Sequence, residues 1–170
     1  MKIHARQIEC DLEKVIKAQP ETVFPMLCPV LEEKWIPGWK YDLLHAPKGV
    51  NEEGCIFRED LSGVHYFEEP VSATWTTIVH DPAAHRVEFL IHYGDRALAR
   101  SRVRISAVDG GCSKVQWNKV LTSTDKRNDR FSDVVLKQRI LESLTFLAES
   151  LSNYFDPDPQ SAVHPASPEG

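Results

Sequence analysis

Wide aromatic rings are the residues in this chain most suited to holding a small molecule: Trp35, Trp39, Phe57, Trp75, Phe89, Tyr93 and Trp117. They fall on or beside segments in which apolar and polar residues alternate, so residues two apart share a face. On one parity Trp75 sits with Thr77 and Val79, Phe89 with Val87, Ile91 and Tyr93, and Trp117 with Val115. Turned inward, such rings either line a cavity suited to a flat or acyl ligand or fill a core, because each buries a large area. A slip of one residue in parity exchanges the two faces. Val103, on the same parity, and Phe131 and Val135, at the start of a helical pattern, complete the candidate lining.

Few polar residues share these faces. Glu59 has the parity of Phe57; buried, its pKa would rise and it could work as a general acid or base, whereas at a strand end in water it would not. Gln138 interrupts the apolar face of the last helix and is placed to bond either a ligand or a neighbouring backbone group. His65, beside Tyr66, is a candidate for a cavity rim. His80 and His85 have a zinc-compatible H-x4-H spacing, but they flank the turn at Asp81-Pro82 and lack a second ligand pair, so hairpin surface is the expectation and no metal or other cofactor is assigned. His92 lies on the opposite side of its strand from Tyr93. Arg100, Arg102 and Arg104 share one strand face, read as the solvated outside of a sheet with Glu88 as a cross-strand partner rather than as an anion-binding stripe. No G-x-S-x-G, P-loop, G-x-G-x-x-G, H-E-x-x-H or C-x-x-C motif occurs, so no catalytic set is assigned.

The elements that must position these residues follow from periodicity and turn chemistry. Ile8, Cys10 and Leu12 alternate as in a half-buried strand, with a slip and a bulge expected near Val15 and Ile16. Pro20 suits a first helical turn, and Pro25 and Pro29 divide 21–35 into two short helices broken near Cys28. After the turn at Pro37-Gly38 come strands around Tyr41–Leu43 and Cys55–Phe57, then 71–80, 85–93, 97–108 and 112–121. Asp-Pro, Gly-Asp and Asp-Gly turns separate the later ones. Such tight connections make antiparallel hairpins. From Phe131 to Phe155 the apolar residues recur at helical spacing: Phe131, Val134, Val135, Leu141, Leu144, Ala148, Leu151 and Phe155, widened by Ile140, Leu147 and Tyr154. A helix of about 25 residues spans roughly 37 Å. Residues 156–170, Pro/Ser/Ala-rich and aperiodic, read as a disordered tail after a single domain, 1–155.

The fold class is therefore α+β: a curved antiparallel sheet of about seven strands wrapped on a long C-terminal helix, with two short helices after strand 1. The chain has 170 residues and a formal net charge of −5, which argues against nucleic acid as the main partner. No apolar run approaches a membrane span, and residues 1–10 do not read as a secretory signal. The four cysteines (Cys10, Cys28, Cys55, Cys112) are dispersed and read as reduced thiols, so a cytoplasmic monomer or homodimer is expected.

This order, with Pro20-x-x-Val23-Phe24, Trp35-x-x-Gly38-Trp39, Glu53-Gly54-Cys55-Ile56-Phe57, Thr74-Trp75-Thr76 and Arg86-Val87-Glu88-Phe89, resembles the START-like, or SRPBCC, superfamily. That superfamily includes Bet v 1-like allergens, polyketide cyclases and a co-chaperone branch. The resemblance covers about residues 2–155 and implies a helix-grip fold with an elongated cavity. Three functions follow as expectations. The first is binding of a small hydrophobic or aromatic molecule between sheet and helix, with 122–130 as a gate. The second is a cyclase or aromatase using Glu59, His65, Tyr93 and Gln138. The third is a protein-interaction module with an exposed apolar patch on its sheet and no usable cavity.

Overall fold

In the computed structural model, which describes residues 5–47, 49, 52–59, 66–67 and 70–157, the chain forms one seven-stranded sheet and a long terminal helix. The strands are β1 (Arg6–Ile16), β2 (Tyr41–His45), β3 (Ile56–Glu59), β4 (Ala73–Asp81), β5 (Arg86–Tyr93), β6 (Ala97–Val108) and β7 (Cys112–Ser123). Their order across the sheet is β1-β7-β6-β5-β4-β3-β2, antiparallel throughout. Short connections make hairpins of neighbours. In the β5–β6 turn, Gly94 takes φ +54°, a left-handed conformation that costs glycine little. The helices α1 (Pro20–Val23) and α2 (Pro29–Glu32) each begin with proline, and a 3₁₀ turn, Phe24–Met26, joins the first to Leu27. Helix α3 (Asp133–Phe155) starts at Ser132, whose Oγ accepts from Val135 N–H at 3.3 Å, and stops before Pro157.

Strand alternation is strictest in β6 and β7. Val103 and Ile105, then Val115, Trp117 and Leu121, point to the helix side, where they meet Ile8, Phe57, Phe89 and Ile91 in one continuous core. Helix α3 closes that core with Leu136, Ile140, Leu144, Ala148 and Leu151, a stripe repeating every three to four residues.

Three sequence-based expectations change here. The buried stripe is rotated from the predicted one: Val134 is 75% exposed, and Val135 and Tyr154 also face solvent, while Leu136 and Ile140 are the residues buried in the core. Strand β1 has no bulge, since its register with β7 runs unbroken from Arg6↔Ser123 to Ile16↔Ser113. Val15 points outward, and Lys14, on the inward parity, reaches past the sheet edge to Glu149 at 2.8 Å. A bulge occurs instead in β4, between Thr77 and Val79, so His80 and not Val79 continues the inward parity and sets its ring on Phe24, 5.3 Å between centroids.

Candidate functional site

The inward face of the sheet divides into two halves. In one, the rings meet one another. Phe57 stacks on Trp75 (5.6 Å between centroids, 13° between planes), Phe89 stands edge-on to both at 6.4 and 5.4 Å, and Trp39 stands edge-on to Phe57 at 6.3 Å. Offset and edge-on pairs of this kind satisfy the ring quadrupoles without a guest. Val103, Trp117 and Trp35 are buried in the same core; Trp35 donates Nε1–H to the Met26 carbonyl at 2.9 Å. Phe57, Phe89, Val103, Trp117 and Trp35 thus pack the core, where a wide, ring-lined cavity was expected.

In the other half the inward residues of β6 are Ala97, Ala99 and Ser101. These small side chains leave space, and Lys119 of β7 lies over it. Lys119 is 3% exposed, on the inward parity of Trp117 and Leu121. Its Nζ donates to Tyr66 Oη at 3.3 Å and stands 5.2, 5.6 and 5.4 Å from the ring centres of Tyr66, Trp75 and Tyr93. A cation over several aromatic faces is attracted by each ring. Burial pushes the Lys119 pKa down, but the Tyr66 and Tyr93 oxygens outweigh it and hold the group above its ordinary range. Burial raises the Tyr93 phenol further than Lys119 lowers it. The state that fits Lys119 and Tyr93 is an ammonium beside a neutral phenol.

A cavity of about 90 Å³ opens beside this ammonium. Trp39, Glu59, Trp75 and Tyr93 line it, as do Glu32 at the end of α2, Ile36 in the turn after it, and Ser143, Phe146 and Leu147 from α3. At roughly 30 Å³ per water the space equals about three waters. Glu59 accepts from Trp75 Nε1–H at 3.0 Å, which fixes its carboxylate at the wall. Glu32 is half-buried by surface area, as a residue facing a cavity is, yet protein surrounds its carboxyl. Burial, and then the charge of Glu59, push its pKa up to about 8. At neutral pH the pocket therefore holds the Glu32 carboxyl in its protonated form and the Lys119 ammonium, with Glu59, Tyr66 and Tyr93 beside them.

The structure thus brings Trp39, Glu59, Trp75 and Tyr93 together at one cavity. It places Val135, 37% exposed, and Gln138, whose amide donates to Glu142 at 2.9 Å, on the solvent side of α3. Both miss the cavity because the helix is rotated by about one residue from the predicted face. Gln138 lines an open groove there with Val134, Leu141 and Phe146. Phe131 is buried between the guanidinium groups of Arg130 and Arg139, at 4.8 and 4.7 Å from its ring centre, away from the cavity. His65 lies outside the described residues.

The segment expected to gate the cavity is pinned. Its first two residues belong to β7, and the turn Lys126–Arg130 is held to the β5–β6 hairpin by Arg96, 2% exposed, whose Nε and Nη2 donate to Asn128 Oδ1 at 3.0 and 2.7 Å. Asn128 in turn donates to the Arg96 carbonyl and to Ser123 Oγ. Arg127 bridges Asp95 at 2.7 Å and Asp125. Among the described residues no group of three or more His, Cys, Asp and Glu is placed to hold a metal.

Sequence reasoning missed Lys119 and Glu32, and reached Tyr66 only as part of a His65-Tyr66 cavity rim. Lys119 was legible by parity, two residues from Trp117 on an alternating strand. Glu32 and Tyr66 lie where no period reads the facing.

No protein-family model matches the chain, and no curated protein matches it in sequence. Solved structures do match. A START superfamily protein from Mycobacterium smegmatis has a TM-score of 0.66 at 17% identity, covering 87% of this chain and 97% of that one. The major latex-like protein 151 of Panax ginseng has a TM-score of 0.69 at 12% identity, covering 89% and 99%. The Zhui aromatase/cyclase from a Streptomyces species has a TM-score of 0.62 at 14% identity, covering 94% and 100%. The fold is therefore the START-like, Bet v 1-like helix-grip fold. Fold alone leaves the chemistry to the site.

Proposed function

We propose that the protein binds a small molecule with an aromatic or apolar body and an oxygen acceptor, seated between Lys119 and the two carboxyl groups. The observation that carries this reading is Lys119: a buried ammonium, ringed by aromatic faces, beside space that a ligand oxygen would fill. The small volume favours a compact ligand, a phenol or short keto acid, over a long lipid. A library of small phenols, ketones and carboxylates, screened by thermal shift, tests it through the linkage RT ln(1 + [L]/Kd). Hits that stabilise the wild type and lose their effect in Lys119→Met support the reading. A library without hits, or hits indifferent to that substitution, would remove it.

A second reading, proton-transfer catalysis on a carbonyl compound, is favoured by one observation. Glu32, held protonated to about pH 8, faces the same cavity as the Glu59 carboxylate, so a donor and an acceptor of protons share one site. Its signature is exchange of α-hydrogens of a small ketone in deuterated buffer, followed by NMR. Exchange no faster than in buffer, or undiminished in Glu32→Gln and Glu59→Gln, would discard this reading while leaving binding intact. Along β5, β6 and β7 the outer sheet face carries charged residues, so the protein-interaction alternative finds no continuous apolar patch on those strands.

A further inference from the structure

On the outer face of the sheet the strand register aligns side chains in rows. One row runs Glu88, Arg102, Asn118, Asp11 across β5, β6, β7 and β1. Its charges are satisfied: Glu88, buried, accepts from Arg100 Nε at 2.8 Å and lies 3.7 Å from Arg102 Nε, Arg102 Nη1 donates to Asn118 Oδ1 at 3.2 Å, and Asn118 donates to Asp11 at 2.8 Å.

The next row is Asp81, Arg86, Arg104, Gln116, Glu13. Here Arg86 and Arg104 are directly opposite each other in the strand register, and like charges so paired cost stability by repulsion. The acidic neighbours are engaged elsewhere. Asp81 Oδ1 accepts from the Ala84 N–H at 3.1 Å, and Glu13 accepts from Gln116 and lies 3.8 Å from Lys114 Nζ. Arg86 Nε is buried without a hydrogen-bond partner. Arg86, Arg104, Arg102 and Gln116 together line a groove of about 220 Å³, whose other polar walls are Asp11, Glu13, Glu88 and Asn118.

We propose that Arg86 and Arg104 form an oxyanion site for a phosphate group on the face of the sheet opposite the ligand cavity. A guanidinium presents paired N–H donors at a spacing that matches phosphate oxygens, and two side by side supply both the charge and the fork geometry. A bound phosphate turns the repulsion between the two arginines into shared attraction and gives the buried Arg86 Nε an acceptor.

Inorganic phosphate is the probe, with sodium chloride at matched ionic strength as the control. For a Kd of about 2 mM, about 20 mM phosphate raises the melting temperature of the wild type by roughly 3–5 °C. Arg86→Gln and Arg104→Gln each abolish most of that rise, and each melts at or above the wild type without phosphate, because the like-charge pair is gone. That second readout separates a lost site from a damaged fold. An equal phosphate response in all three proteins, or an equal rise with chloride, overturns the proposal. Where the response holds, co-sedimentation with phosphatidylcholine vesicles containing a phosphoinositide tells a lipid headgroup from a free phosphate ester: wild-type-specific pelleting assigns the headgroup, and its absence assigns the soluble ester.

Discussion

Replacing Glu32 with glutamine should flatten the dependence of stability on pH between about 5 and 8. In the folded protein the Glu32 carboxyl titrates near pH 8 instead of 4.5, driven by burial and then by Glu59. Over that interval the native state keeps a proton that the unfolded chain has released, so unfolding becomes easier as pH rises. The contribution is fully present below pH 4.5 and is lost as pH climbs through about 8. A shift of that size at full desolvation corresponds to about 5 kcal/mol. Because Glu32 is only half-buried as a residue and faces a cavity, solvent screening reduces the observable to about 1–2 kcal/mol, or roughly 2–8 °C in melting temperature for a chain of this length. Urea denaturation of wild type and Glu32→Gln, from pH 5 to 8.5, measures it. The curves should converge at the acid end, with the wild type falling below the variant as the buffer turns alkaline. Glu59→Gln, which removes the neighbouring charge, should move the wild-type inflection to lower pH. Parallel curves for wild type and Glu32→Gln would show that Glu32 ionises as an ordinary exposed glutamate, and the acid–base reading of the pocket would go with it.

Three further outcomes follow from the packing. Asn128→Ala should lower stability by about 2–3 kcal/mol in urea melts, because it takes two acceptor contacts from a buried guanidinium. Phe57→Ala, which opens the centre of the aromatic stack, should cost about 3–5 kcal/mol, whereas a ring that merely lined a ligand cavity would cost less. Lys119→Met, similar in length and free of charge, should leave the melting temperature unchanged or higher while abolishing ligand shifts; a strongly destabilised variant would mean that Lys119 is a structural residue.

The fold was legible because its signals are periodic. Alternation in β5, β6 and β7, the prolines at the starts of α1 and α2, and the stop at Asp156-Pro157 all act locally, and the structure puts those elements where they point. Facing was harder to read. The β4 bulge at Ile78 reverses parity for the rest of its strand, which is why Val79 and His80 exchange roles. Along α3, Val134, Val135 and Tyr154 are as apolar as Leu136 and Ile140, so composition leaves the rotation of the helix to tertiary contacts with β1. The candidate site was half legible: Trp39, Glu59, Trp75 and Tyr93 converge, while Glu32 arrives from a single helical turn and Tyr66 from outside the regular elements, neither long enough for a period to encode its direction. Lys119 was hidden by chemistry. A lysine on an alternating strand is ordinarily solvated, and its inward turn depends on the alanines beside it on β6.

Those alanines tie the fold to the proposed function. Had β6 carried branched residues throughout, as it does at Val103 and Ile105, the aromatic half of the core would extend across the sheet and there would be no space for a polar chain. With Ala97, Ala99 and Ser101 in their place, the gap is occupied by an ammonium that finds phenols and ring faces but, among the described residues, no carboxylate within ion-pair distance. Desolvating such a charge costs several kcal/mol, and well-packed apolar residues of equal volume are often at least as stable. Here the phenol oxygens and ring faces offset that cost without supplying an anion. On the proposed function, a ligand oxygen drawn into the small cavity where Glu32 and Glu59 complete the polar wall would be a further partner for the ammonium.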